Sequence, residues 1–124
     1  MSDAPFDQTV TFLPTRSLDA ATHFYRDILG LPLVRDQGVC RIFKASPGGY
    51  LGFCTHLQAP PAPPGLILTL VRDDVDAWHD RLAAAGVTIT RAPAHNSNYA
   101  IYHFFFEDPD GYTLEIQRFD TPLE

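Results

Sequence analysis

Lysine is nearly missing from this 124-residue chain: Lys44 is the only one, and with nine basic against fifteen acidic residues the formal net charge is -6. A chain so short of positive charge has no electrostatic footprint for nucleic acid or for an anionic membrane surface. Cysteine is scarce too. Cys40 and Cys54 lie in apolar runs without CxxC spacing, so the expectation is two free, buried thiols rather than a disulfide or a metal site. No apolar run approaches the roughly 18 residues of a membrane span, and no signal peptide is evident, so a cytoplasmic protein is expected. No nucleophile motif is recognisable, which leaves catalytic residues unassigned.

What is present is apolar and aromatic. The apolar share is 45% and the aromatic share 12%, enough for one domain, or two small coupled halves, to bury roughly two thirds of the chain's surface. The most informative stretch runs from Phe106 to Gln117. Asp108, Pro109 and Gly111 occupy the first, second and fourth positions of a type I turn, predicting a hairpin between Tyr99–Phe106 and an alternating strand from Thr113. On that strand Leu114 and Ile116 face a core, so Glu115 faces the other way with Thr113 and Gln117.

From the start of the chain, Asp7–Leu13 reads as a strand, and Ser17 as the N-cap of a helix with Leu18, Ala21, Tyr25, Ile28 and Leu29 on one face, stopped by Gly30 and Pro32. Strands are predicted at Leu31–Arg35, Cys40–Ala45 and Tyr50–His56. Four prolines within residues 59–65 make a stiff linker. The pattern then restarts: strand Leu66–Val71, a helix capped by Asp74 with Val75, Trp78, Leu82 and Ala85 inward, strand Val87–Arg91, a polar loop over Ala94–Asn98, and the hairpin. Leu18-Asp19-Ala20 aligns with Val75-Asp76-Ala77 and Gly30-Leu31 with Gly86-Val87, a faint repeat of about 57 residues. The fold class is therefore α+β, two βαβββ modules at 7–58 and 65–120 joined by linker 59–64.

Leu18-Asp19, Phe24-Tyr25-Arg26-Asp27-Ile28-Leu29-Gly30-Leu31 and Glu107-Asp108-Pro109-Asp110-Gly111-Tyr112 leading to Leu114-Glu115-Ile116 together resemble the vicinal oxygen chelate superfamily of glyoxalases, bleomycin-resistance proteins and extradiol dioxygenases. The resemblance implies a U-shaped mixed sheet with helices outside and the ligand inside, and a homodimer. It also implies a divalent ion held from the first, fourth, fifth and eighth strands. Counting from the motifs, those positions fall at Val10, Phe53, Leu66 and Glu115, of which only Glu115 carries a donor atom.

A metal-free small-molecule binder for an apolar or aromatic ligand is therefore expected, its site made by Glu115, His103, Phe105, Phe12, Gln8, Val10, Leu66 and Phe53, with Leu68 and Leu70 beside Leu66. The alternative is a lyase, isomerase or dioxygenase with a divalent ion on a rearranged set, Glu115, His103 and His56. Two structural roles compete with the site: Glu115 paired to Arg41 or Arg118, and His103 as a hydrogen-bonded core histidine. His23 and His79 are expected at the surface, outside the U.

Overall fold

In the first half of the chain, a parallel pairing brings an N-terminal strand back against the last strand of a meander. The computed structural model describes residues 4–124 and divides into two units, Met1–Pro61 and Ala62–Glu124, the boundary falling inside the proline-rich stretch. The first unit holds β1 (Thr9–Pro14), α1 (Leu18–Thr22) with a π-helical continuation (His23–Ile28), β2 (Leu33–Asp36), β3 (Cys40–Ser46) and β4 (Gly49–Cys54). Its sheet order is β1-β4-β3-β2, with β1 parallel to β4 and the other pairs antiparallel.

Ser17 caps α1 by accepting from the Ala20 amide at 3.1 Å. Past Thr22 the helix widens: the Leu29 amide reaches the Phe24 carbonyl, five residues back. Phe24 and Tyr25 are both buried as a result, one more aromatic than a regular helical face predicts. Tyr25 stacks on Phe53 at 4.3 Å and approaches Phe43 at 6.0 Å, while Phe24 meets Tyr25 edge-on. Each such ring contributes on the order of 2–3 kcal/mol of burial.

The second unit repeats the plan with β5 (Ile67–Val71), α2 (Val75–Ala84), β6 (Thr88–Asn96), β7 (Ile101–Glu107) and β8 (Thr113–Phe119), in the order β5-β8-β7-β6. Val75 and Leu82 of α2 are buried, as are Phe104, Phe106, Leu114 and Ile116 on the helix side of the sheet. Tyr102 ties β7 to α2 by donating to Asp76 at 2.6 Å, and that hydrogen bond, with a smaller contribution from burial, raises the phenol's pKa above its ordinary value.

Three local expectations are corrected. Asp74 precedes α2 without capping it, because its carboxylate is held by Arg72 at 2.8 and 2.9 Å. β6 runs on to Asn96 instead of yielding to a loop at Ala94: it is an edge strand, where Pro93 and the register shift between Arg91 and Ala94 are tolerated. Cys40 and Cys54 are joined as a disulfide rather than free. They are direct partners across β3 and β4 with Cα atoms 4.2 Å apart, near the roughly 4.5 Å of a non-hydrogen-bonded antiparallel pair.

Candidate functional site

The turn that the sequence predicts is formed: the Gly111 amide bonds the Asp108 carbonyl at 3.0 Å, and Asp108 Oδ1 accepts from the Asp110 and Tyr112 amides at 2.9 Å each. Gly111 has φ 89°, the left-handed region that an L side chain enters only with strain. This turn fixes the register of β7 on β8, pairing His103 with Gln117 and Phe105 with Glu115. All four side chains therefore lie on the face opposite α2, since Phe104 and Phe106 alternate with them toward the helix.

Glu115 is 7% exposed and His103 8%, and each meets a polar partner. His103 Nδ1 lies 2.5 Å from Glu115 Oε2, and the Thr69 hydroxyl donates to Oε1 at 2.7 Å. Gln117, with its amide nitrogen turned toward the carboxylate, donates to both oxygens at 3.2 and 3.3 Å. Strands β5, β7 and β8 thus each send one donor to a single buried carboxylate. An ionised carboxylate only accepts, so in that form Nδ1 is the donor of this contact, and Nε2 is the ring's second polar atom. The Phe105 ring stands edge-on to the imidazole at 5.0 Å.

Among the described residues no arginine serves Glu115. Arg41 reaches Asp19 at 3.0 Å and the Thr22 hydroxyl at 2.9 Å on the helix side of the first unit. Arg118 lies over the Tyr102 ring and donates to the Asp73 carbonyl. A groove of about 410 Å³ beside Arg41 is lined by Asp19, Asp27, Asp36 and Arg26, and its arginines already face those aspartates. His23 is exposed and paired with Asp27, whereas His79 is only partly exposed and packs edge-on against Phe104.

The remaining expected site residues divide by strand parity. In the first unit Val10 and Phe12 are exposed on the face opposite α1, and Gln8, also exposed, reaches the Tyr50 hydroxyl at 3.4 Å. The Phe12 ring lies directly over Gly52, where an added Cβ would come within 2.6 Å of it. Phe53 is not on that face: it is fully buried against Tyr25, one residue out of phase with Gly52. Leu66 precedes β5, and Leu68 and Leu70 pair with Leu114 and Ile116 on the helix side. The residues of β5 that share Glu115's face are Ile67, Thr69 and Val71, the two aliphatics about half exposed. Thr69 is the polar group of this face that the expected set lacks. It is the single polar side chain in Leu66–Val71, and that was its signal.

His56 sits in the first unit beside the cysteines, its Nδ1 3.6 Å from Cys40 Sγ, while His103 and Glu115 meet in the second. The divalent ion implied by the resemblance does not fit the chain's donors. Val10 already lies on the face opposite the helix and carries no donor; moving Phe53 by one residue onto that face gives Gly52, without a donor, or Cys54, whose sulfur is held in the disulfide; moving Leu66 gives Ile67, without a donor, and both oxygens of Glu115 are already engaged.

The family model described as the Glyoxalase/Bleomycin resistance protein/Dioxygenase superfamily matches residues 6–116, and the chain belongs to that family. Among solved structures, a glyoxalase/bleomycin resistance protein/dioxygenase from Nocardioides superposes with a TM-score of 0.76 at 20% identity, covering 96% of this chain and 86% of that one. TnmS3, an antibiotic binding protein from Streptomyces sp. CB03234, gives 0.75 at 26% identity over 95% and 98%. Lactoylglutathione lyase from Agrobacterium tumefaciens gives 0.72 at 24% identity over 94% and 96%. No curated protein sequence matches significantly.

Proposed function

We propose that the protein binds a small molecule with a planar, apolar body and one hydrogen-bonding or cationic group, and that it does so without a divalent ion. The observation that carries this reading is the buried Glu115 carboxylate, held by Thr69, His103 and Gln117 and flanked on its own face by Ile67, Val71 and Phe105. An apolar surface around a few converging polar groups is the composition of a small-molecule site. The likeness to an antibiotic binding protein supports the same reading.

The alternative, a lyase, isomerase or dioxygenase with a rearranged metal site, has one observation in its favour: an imidazole in direct contact with a carboxylate, a pairing suited to proton transfer. Two measurements separate the readings. Planar heteroaromatic compounds screened by melting temperature should include one that stabilises the protein, and Glu115→Gln should weaken its binding roughly tenfold or more, the scale of a charge-assisted hydrogen bond. Equal affinity in the variant, or a screen without a stabilising compound, contradicts the binding reading. About one equivalent of tightly held zinc, nickel, iron or manganese in the purified protein, lost on Glu115→Ala, establishes the alternative.

A further inference from the structure

The cluster formed by Cys40, Cys54 and His56 shares no residue with the ligand site proposed above. It is the one group of three metal-ligating side chains among the described residues, and its donor atoms all lie within 4.8 Å of one another. Both cysteines are buried, and His56, just past the end of β4, is exposed. The backbone holds the cluster in place: Cys40 and Cys54 are register partners, and the Thr55 amide bonds the Val39 carbonyl at 2.9 Å immediately beside them.

We propose that, once reduced, this cluster is a binding site for a thiophilic divalent ion such as Zn²⁺, with two thiolates and the His56 imidazole as ligands and solvent in the fourth position. A tetrahedral zinc with bonds of about 2.3 Å to sulfur and about 2.0 Å to nitrogen places its donors roughly 3.5–3.8 Å apart. The His56 nitrogen already stands 3.6 Å from Cys40 Sγ. The sulfur atoms have to separate, which breaking their bond permits, and every donor pair already lies within 4.8 Å, so small side-chain rotations of Cys54 and exposed His56 complete the geometry. Thiolates and an imidazole favour zinc over the hard oxygen-seeking cations, and the exposure of His56 leaves room for a solvent ligand.

The chemistry balances with a small dithiol as reductant. Thiol–disulfide exchange cleaves the Cys40–Cys54 bond to two thiols, taking two electrons and two protons from the dithiol, which closes into its own disulfide. Zn²⁺ then displaces the two thiol protons and accepts the lone pair of neutral His56. The two covalent states exclude each other: a disulfide has no thiolate to offer, and bound zinc keeps the sulfurs from pairing.

Anaerobic titration of the full chain with Co²⁺ tests the proposal, because thiolate-to-cobalt charge-transfer absorption reports sulfur ligation directly. The reduced protein should saturate at about one equivalent, added Zn²⁺ should displace the cobalt, and the oxidised protein should give no signal. His56→Ala, a change at an exposed residue, should weaken cobalt roughly tenfold or more, since even a ligand's supporting partner acts on that scale. Cys40→Ser with Cys54→Ser should abolish the band. Failure of the reduced protein to saturate overturns the site, as does equal binding by the oxidised form. Wild-type affinity in His56→Ala removes the third ligand and with it the proposal.

Discussion

Glu115 has more donors than any other side chain on its face of the second sheet, which makes its removal expensive. Glu115→Ala leaves Thr69, His103 and Gln117 facing a gap, and urea unfolding should show a loss of about 2–4 kcal/mol. Thr69→Val keeps the shape and withdraws one donor from a carboxylate that retains two others, so its loss should be nearer 1 kcal/mol. If the two variants lose equal stability, the three donors do not act on one acceptor as described. His103 shows how one residue carries two readings. It is buried and hydrogen-bonded as a core histidine would be, yet it lies on the face opposite the helix with Nε2 still available.

Among the elements of the first unit, β1 presents an exposed aromatic, Phe12, over β4. Phe12 is about half exposed and its ring lies on Gly52, so the missing side chain there is what lets the ring lie flat against the sheet. In Gly52→Ala the new methyl displaces the ring. The ring is about half exposed and only its edge atoms meet the new methyl, so the unfolding free energy should fall by only about 0.5–1.5 kcal/mol, the scale of one off-rotamer side chain. Any compound found in the melting screen that uses Phe12 should lose affinity by more than that. The hairpin of β3 and β4 places its turn midway between the cysteines, and this is why residues 14 apart in sequence become partners. On the opposite side of the same sheet, the widened helix after α1 brings Phe24 into the core beside Tyr25.

For the molecule as a whole, no helix among the described residues is long and apolar enough to cross a membrane. We propose that the chain is a homodimer. Each four-stranded sheet ends in strands whose outer backbone groups have no partner within that sheet, β1 and β2 in one and β5 and β6 in the other, and association is a common way to cover such edges. Light scattering at micromolar concentration should give twice the 13.8 kDa chain mass. A monomer mass across the accessible concentration range contradicts it.

The sequence by itself determined the βαβββ repeat, the Asp108–Gly111 turn, the capped first helix and the side of β8 on which Glu115 lies, because these follow from local chemistry: turn residues at fixed offsets, a capping hydroxyl, and the two-residue alternation of a strand. Strand β5 was not legible in the same way. Five of the six residues from Leu66 to Val71 are apolar, so alternation could not say which set faces Glu115, and only pairing with β8 selected Ile67, Thr69 and Val71. Phe53 was misplaced for the same reason, within the run Tyr50–Cys54 where both faces of the strand carry large or buried groups. The disulfide, the three donors on Glu115 and the approach of His56 to Cys40 belong to tertiary structure alone, since each depends on the register between strands, and register is set by packing across the whole sheet.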